Sequence, residues 1–226
     1  MSSGKLYIVA TPIGNLEDIT LRALRILKEA DLILCEDTRV TRKLLNRYDI
    51  TKTLRSLHQH SGPERWDEVR QQLAQGKTLA LVSDAGTPGI NDPGGELIAY
   101  LTDALPDLAI TPLPGPNAAV AALSVAGFPA ERFTFLGFPP HKRKRRQFFG
   151  EVTATTTAVV FFESPYRILK TLVELDTVAP DRLLVVCREL TKKFEIVYRG
   201  SPGAIHETLS KEVPLRGEFV LVVAPR

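Results

Sequence analysis

Short, wholly apolar runs alternate with amphipathic stretches along the chain. Residues 6–9 and 79–82 are apolar at every position, which is typical of strands buried on both faces of a parallel sheet. After the first of these runs, Thr20 stands where it can cap a helix. The predicted apolar face of that helix consists of Leu21, Leu24 and Leu27, widened by Ala23, Ile26 and Ala30. The pattern therefore begins as a strand followed by a helix.

The alternation continues to the end of the chain. Further strands are predicted at residues 32–34, 53–57, 108–111, 133–136, 157–162, 183–186, 194–198 and 219–223. The last strands are separated by shorter segments, which predicts hairpin-like antiparallel pairing in the second half. Residues 112–116 contain three prolines and a glycine, a composition that cannot continue a helix or a central strand. We predict two α/β domains, residues 1–113 and 114–226.

The stretch from residue 79 to residue 95 is the most distinctive in the chain. Ser83 and Asp84 follow the apolar run directly, and four glycines and two prolines lie between Gly86 and Gly95. Such a composition predicts tight turns that leave main-chain N–H and C=O groups available to a ligand. An ordinary strand-to-helix loop is the alternative. We interpret the stretch as the floor of a ligand site, because ligands bind beyond the carboxyl ends of strands in parallel α/β sheets.

Polar residues recur at the ends of predicted strands, in segments 12–15, 36–39, 83–92, 163–167 and 188–191. If the strands of each half are mainly parallel, these ends gather on one side, and two facing halves form a cleft. Segment 36–39 is either the acidic start of a helix or part of a polar pocket, and the residues alone do not decide between them. The chain has no phosphate-binding loop, dinucleotide turn or nucleophile elbow, and the glycine loop carries no lysine. A ligand that meets backbone amides fits this loop better than a triphosphate does.

Composition narrows the class of protein. Hydrophobic residues make up 44% of the chain and charged residues 24%, and no apolar run approaches the roughly 18–20 residues that span a bilayer. The first residues contain too short an apolar segment for a secretory signal. Cys35 and Cys187 are expected to be buried free thiols, which indicates a reducing compartment. We predict a cytoplasmic protein without a metal site, and an exposed loop at residues 58–60.

Positive charge is concentrated in one run. The net charge is +3, and residues 142–146 alone contribute five positive charges. The run consists of Lys142, Arg143, Lys144, Arg145 and Arg146. It is either a set of phosphate contacts for RNA or an ordinary solvated surface. Phe148 and Phe149 behind it are expected to lie in the core rather than to stack on bases.

Six segments in one order resemble the tetrapyrrole methylase superfamily, whose members are S-adenosylmethionine-dependent methyltransferases with two α/β domains. The segments are 6–16 (LYIVATPIGNL), 35–39 (CEDTR), 83–89 (SDAGTPG), 114–118 (PGPNA), 163–165 (ESP) and 188–192 (RELTK). Within that superfamily they are most similar to the bacterial branch that methylates the 2′-oxygen of a cytidine in small-subunit (16S) ribosomal RNA. The first turn is Thr-Pro-Ile-Gly-Asn instead of the glycine-rich turn of the tetrapyrrole enzymes, which argues against a corrin or porphyrin substrate.

The resemblance implies roles for individual residues. S-adenosylmethionine is expected in the cleft between the domains, against Pro12, Asp84, Ala85, Gly86, Thr87, Gly89, Pro116, Asn117, Ala118, Phe162, Glu163 and Leu190. The reaction needs a base or a proton-accepting water to take the proton of the ribose hydroxyl. The strand-end argument makes Glu36, Asp37, Asp92 and Glu163 the candidate carboxylates, and each of them is alternatively an ion-pair or helix-start carboxylate. Arg39 is a candidate for orienting a phosphate.

The resemblance also implies partners, namely the small ribosomal subunit or its RNA and a second copy of the chain in a homodimer. Members of the branch usually carry a further helical tail, whereas the sequence here stops at Arg226, directly after its last predicted strand. The tail is therefore expected to be either trimmed or absent, and some RNA-binding surface to be missing with it. Two other functions stay open. One is a methyltransferase of the same fold acting on a small molecule or a protein side chain, and the other is a non-catalytic RNA-binding assembly factor.

Overall fold

The computed structural model describes residues 4–57, 61–92, 94–212 and 214–226. The predicted loop at residues 58–60 lies outside these ranges. The chain divides into two compact units, Met1–Asn117 and Ala118–Arg226. In the described part of the chain, each unit contains one five-stranded sheet and helices between its strands, so the predicted α/β class is confirmed. The predicted boundary between residues 113 and 114 falls at the end of the last strand of the first unit.

The first unit is a parallel sheet with helical connections. Its elements are β1 (Lys5–Val9), α1 (Leu21–Glu29), β2 (Leu32–Cys35), α2 (Thr38–Arg47), β3 (Leu54–Ser56), α3 (Pro63–Ala74), β4 (Thr78–Val82), α4 (Gly94–Ala104) and β5 (Ala109–Leu113). The strand order is β3-β2-β4-β1-β5, and every neighbouring pair is parallel. Consequently the loops that follow β1, β2, β4 and β5 emerge at one edge of the sheet, as the polar strand ends predicted.

The buried face of α1 differs from the predicted one. Thr20 caps the helix by accepting the N–H of Ala23, as expected. Ala23, Ile26, Leu27 and Ala30 are buried, whereas Leu21 is 85% exposed. Including Leu21 in the apolar face was wrong, since it lies about 200° around the helix from Ala23.

Proline does not end the strand β5. The strand continues through Pro112 to Leu113, two residues beyond the predicted end at residue 111. It can do so because, among the strands that the structure describes, β5 pairs only with β1 and forms an edge of the sheet, where a missing N–H breaks no second ladder.

The second unit has a mixed sheet. Its elements are α5 (Ala118–Ser124), β6 (Phe133–Phe135), α6 (Arg145–Ala154), β7 (Ala158–Glu163), α7 (Ile168–Val178), β8 (Leu184–Arg188), β9 (Ile196–Gly200), α8 (Pro202–Ser210) and β10 (Phe219–Val223). The order is β6-β7-β10-β8-β9, with β6 and β7 parallel and the other pairs antiparallel. The predicted antiparallel pairing is thus confirmed. Because Phe219 faces both Glu163 and Arg188, β7 and β8 end at the same edge.

Both sheets are covered on both faces by apolar clusters. Phe148 and Phe149 are 8% and 3% exposed and belong to the core of the second unit, as predicted. Cys35 and Cys187 are buried free thiols, also as predicted, and burial raises the pKa of Cys187 to about 11. Within the described ranges, none of the helices combines the length and the apolarity needed to cross a bilayer.

Candidate active site

The loops after β1 and β4 are joined by a pair of main-chain hydrogen bonds. The N–H of Thr11 donates to the carbonyl of Gly86 at 2.9 Å, and the N–H of Gly86 donates to the carbonyl of Thr11 at 3.0 Å. Gly86 adopts a φ of +82°, a conformation that glycine reaches without steric cost. A Cβ there would also lie 3.4 Å from Ile13 Cγ2 and 3.6 Å from the carbonyl oxygen of Pro116. The glycine at this position lets three strand-end loops meet.

Buried hydroxyl groups brace the inner side of the glycine loop. Thr11 Oγ1 donates to the carbonyl of Ser83 at 3.0 Å, and Ser83 Oγ donates to the carbonyl of Gly86 at 3.0 Å. Both residues are buried. The hydroxyl of Thr87 donates to the carbonyl of Pro116 at 3.1 Å, which ties the loop to the segment that follows β5. The structure thus brings together three of the predicted cofactor-binding positions, Gly86, Thr87 and Pro116.

Asp92 closes the far end of the loop. One of its carboxylate oxygens accepts the N–H of Gly89 at 2.6 Å and the N–H of Gly94 at 2.9 Å. Such a carboxylate holds the main chain of the loop in its turns. We therefore assign Asp92 a structural role in this loop.

The loop after β2 and the end of β3 form an open pocket beside Asp84. Its volume is about 500 Å³, and it is lined by Glu36, Asp37, Thr38, Arg39, Ser56 and Asp84. The N–H of Asp37 donates to Asp84 Oδ1 at 3.0 Å, which joins the loops after β2 and β4. Segment 36–39 is therefore both the start of a helix and a wall of a polar pocket, the two interpretations that the sequence left open.

Asp37 and Arg39 form a charged pair at the start of α2. Asp37 caps the helix by accepting the N–H of Arg39 at 2.8 Å, and its carboxylate also accepts from the Arg39 guanidinium, with a shortest distance of 2.6 Å. Hydrogen bonding to Arg39 lowers the pKa of Asp37 to about 2. A carboxylate with so low a pKa is a weak proton acceptor at neutral pH. The Arg39 side chain remains 87% exposed.

Glu163 lies at the centre of a buried polar network in the second unit. Its side chain is completely enclosed. One carboxylate oxygen accepts the N–H of Ser164 at 2.8 Å and pairs with the Arg167 guanidinium at 2.9 Å. The other accepts the Thr171 hydroxyl at 2.6 Å. Because both oxygens of the Glu163 carboxylate have partners, we assign this side chain a role in stabilising the fold. We therefore no longer count Glu163 among the candidate bases.

Arg145 is the second member of this network and differs from the rest of the basic run. It is 5% exposed, it pairs with Glu174 at 2.7 Å and it donates to Thr171 Oγ1 at 2.7 Å. Its guanidinium also donates to the carbonyl of Pro140 at 3.2 Å. A buried guanidinium cannot reach an RNA phosphate, so the expectation for Arg145 was wrong. The other four cations of the run are exposed, namely Lys142, Arg143, Lys144 and Arg146.

Phe162 and Leu190, two further residues of the predicted cofactor set, pack against the same apolar cluster of the second unit. Leu190 stands between Glu189 and Thr191, whose φ values are +53° and +65°. Lys192 Nζ lies 2.9 Å from Glu189 and 3.0 Å from Glu218, which fixes this loop at the end of β8. Non-glycine residues with positive φ cluster at functional sites.

The sequence pattern does not identify Ser56 in the pocket or Thr171 and Glu174 in the network, and it includes Arg167 only as part of the polar segment 163–167. Ser56 becomes a neighbour of Glu36 only through the pairing of β2 with β3, which a single sequence does not reveal. The network carried one usable signal. Arg167 follows Glu163 by four residues, and Glu163 ends an otherwise apolar strand. Across the described residues, no group of three or more histidine, cysteine or acidic side chains is arranged to hold a metal ion.

Comparison with known proteins places these features in a family. Residues 5–205 match the family described as Tetrapyrrole (Corrin/Porphyrin) Methylases. The Ribosomal RNA small subunit methyltransferase I of Halalkalibacterium halodurans is 47% identical over 222 residues, which cover 97% of this chain and 75% of the relative. The protein of the same name from Thermotoga maritima is 42% identical over 221 residues, 98% of either chain.

A solved structure shares the fold at low identity. The uroporphyrin-III C-methyltransferase of Thermus thermophilus, complexed with S-adenosylhomocysteine, aligns with a TM-score of 0.64 at 17% identity and covers 98% of this chain and 97% of its own. The family match spans most of the chain, and the alignments with the two relatives cover nearly all of the chain. The chain therefore belongs to the tetrapyrrole methylase family.

Proposed function

We propose that this protein transfers a methyl group from S-adenosylmethionine to the 2′-oxygen of a cytidine ribose in small-subunit ribosomal RNA. The observation that carries the proposal is the identity of 47% and 42%, over nearly the whole chain, to proteins named Ribosomal RNA small subunit methyltransferase I. The fold agrees, because the strand-end loops of the first unit meet as a ligand site in a parallel sheet would.

The chemistry of the glycine loop suits this cofactor. Residues 83–92 contain two aspartates and no lysine or arginine. S-adenosylmethionine carries a sulfonium and an ammonium group, which carboxylates and main-chain carbonyls stabilise. We propose that it contacts Asp84, Ala85, Gly86, Thr87 and Gly89 together with Pro12, Pro116 and Asn117, all of the first unit.

When bound, the cofactor supplies an electrophilic methyl carbon. The chain's own contribution begins with positioning, which supplies much of the acceleration in such a displacement. Asp37 is a weak base, Asp92 holds the glycine loop, and Glu163 is enclosed in the second unit. We therefore propose Glu36, which lines the pocket beside Asp84, as the group that accepts the ribose proton. Arg39, exposed at the same pocket, is proposed to orient a phosphate of the RNA.

The exposed cations at residues 142, 143, 144 and 146 are proposed to contact the RNA backbone. The test replaces all four with glutamate and leaves the buried Arg145 in place. Transfer of labelled methyl groups to small ribosomal subunits that lack the modification should fall to background in this variant, because four phosphate contacts become repulsive. Arg132→Glu is the control for charge reversal elsewhere on this unit. Arg132 is exposed immediately before β6, whereas the basic run follows the end of that strand.

The alternative functions give different results in the same experiments. A methyltransferase for a small molecule would not label the subunits at all, and one for a protein side chain would place any label on protein and none on the RNA. A non-catalytic assembly factor would bind the subunits, but calorimetry with S-adenosylmethionine would detect no heat of binding. We also propose that the protein is a homodimer and that it acts in the cytoplasm, where the small ribosomal subunit is found. Sedimentation of the purified protein as a monomer would contradict the homodimer.

A further inference from the structure

Tyr166 is presented at the tip of a tight turn between β7 and α7. Its side chain is 94% exposed. The N–H of Arg167 donates to the carbonyl of Ser164 at 3.1 Å and closes a four-residue turn, with Pro165 in the second position and Tyr166 in the third. Proline favours the second position of such turns because its φ is already set. The sequence therefore holds a large aromatic ring out in solvent.

The turn is fixed at its base by Glu163. The same carboxylate oxygen accepts the N–H of Ser164 at 2.8 Å and pairs with the Arg167 guanidinium at 2.9 Å. Arg167 also donates to the carbonyl of Pro139 at 3.2 Å, which joins the turn to the segment that precedes α6. A ring on a fixed turn loses little conformational entropy when it binds a partner, since only its two side-chain torsions remain to be ordered.

The basic run is fixed to the same carboxylate. Thr171 accepts from Arg145 at 2.7 Å and donates to Glu163 at 2.6 Å, so the start of α6 and the Tyr166 turn share one buried anchor. Within this anchor two arginines face two glutamates, and their charges cancel. The four exposed cations at residues 142, 143, 144 and 146 therefore add four positive charges to the surface beside the turn. We call these four residues and Tyr166 the tyrosine–cation patch.

We propose that the tyrosine–cation patch binds a single-stranded stretch of the substrate RNA, with a base stacked on Tyr166 and the backbone phosphates on the four cations. The proposal rests on the proposed function and adds a base-stacking residue to it. An exposed aromatic ring beside a row of cations is how proteins bind single strands, because every base has a face that stacks and every nucleotide carries a phosphate. The positive charge of the patch favours RNA over a second copy of this chain, whose identical patch would repel it.

The experiment compares Tyr166→Ala, Tyr166→Phe and the control Val178→Ala in methylation of small ribosomal subunits. Val178 is 45% exposed at the other end of α7, about 15 Å from its start. Tyr166→Ala should raise KM for the subunits about tenfold, with the loss in KM rather than in kcat. Tyr166→Phe should restore the affinity, because stacking uses the ring and not the hydroxyl. Val178→Ala should behave as the wild type.

Salt dependence separates stacking from charge in direct binding of an unstructured RNA oligonucleotide. Tyr166→Ala should weaken binding without changing the slope of log affinity against log salt. Lys142→Ala should reduce that slope by about 0.7, the value for one phosphate contact on a single strand. This difference would not arise from a general loss of structure.

Two results would overturn the inference while leaving the proposed function intact. One is a wild-type KM in Tyr166→Ala. The other is dissociation of a dimer by Tyr166→Ala in sedimentation, which would assign the ring to an interface between copies. If instead the wild-type protein labels no subunits, the proposed function fails, and the oligonucleotide measurement still tests the patch by itself.

Discussion

At the scale of single residues, the buried charges of the second unit decide what Glu163 and Arg145 do. Taking a carboxylate and a guanidinium out of water is costly, and the cost is offset only when each has close partners of opposite charge or a hydrogen bond for each polar atom. Glu163 has Arg167, Thr171 and the N–H of Ser164, and Arg145 has Glu174 and Thr171. These residues therefore stabilise the fold around the turn and the start of α6.

Replacing Glu163 with glutamine tests this assignment. The variant keeps the shape of the side chain but leaves Arg167 without its buried counter-charge, so the free energy of unfolding should fall by about 3 kcal/mol. The measurement is urea denaturation, with the exposed Glu207→Gln as the control. An unchanged midpoint in Glu163→Gln would mean that the carboxylate is not needed for stability and would return it to the candidate bases.

The lowered pKa of Asp37 predicts that the stability of the fold depends on pH. Its pKa is about 2 in the folded protein against an ordinary value of 3.8, because the Arg39 guanidinium and N–H stabilise the anion. The stabilisation is therefore complete above about pH 4 and is lost as the pH falls through 2. Asparagine keeps the helix cap and removes the charge. Thermal melts from pH 6 to pH 2 should show the wild type losing its advantage over Asp37→Asn between pH 4 and 2, and parallel curves would contradict the pairing with Arg39.

At the scale of elements, the glycine loop after β4 depends on the strand-end loops around it. Gly86 pairs with Thr11 after β1, Thr87 donates to Pro116 after β5, and Asp84 accepts from Asp37 after β2. The loop is thus held in one conformation before any ligand arrives. Preorganisation of this kind lowers the entropy that binding has to overcome.

Two glycines of this segment give a matched pair of substitutions. Gly86→Ala forces a side chain into a φ of +82°, which should lower the free energy of unfolding by about 1 kcal/mol. It should also lower the affinity for S-adenosylmethionine several-fold, as measured by calorimetry. Gly95→Ala places a Cβ in open space within α4 and should increase stability by up to about 1 kcal/mol. Equal cofactor affinities in the two variants would contradict the role given to the Gly86 turn.

The elements themselves were largely predictable, because buried strands and amphipathic helices leave periodic patterns in the sequence. The failures have specific physical causes. Leu21 is an apolar residue on the solvent side of α1, and the pattern alone assigns every leucine to the core. Pro112 is tolerated because β5 is an edge strand, and edge position is a property of the finished sheet.

At the scale of the whole molecule, the candidate site was predictable where it depends on topology and unpredictable where it depends on tertiary neighbours. A parallel sheet gathers its strand ends, so the meeting of the loops at Thr11, Asp37, Gly86 and Pro116 follows from the order of strands and helices. The burial of Arg145 does not follow from its sequence. It stands among four exposed cations, and only the position of α7 supplies Glu174 and Thr171.

The central claim is the transfer of a methyl group to a cytidine ribose of small-subunit ribosomal RNA, and the nucleoside product tests it most directly. Small subunits lacking the modification are incubated with the protein and labelled S-adenosylmethionine, and their RNA is digested to nucleosides and analysed by mass spectrometry. We predict label in 2′-O-methylcytidine alone, and no label when glutamate replaces the four exposed cations. Label on a base, on another nucleoside or on a ribosomal protein would contradict the account.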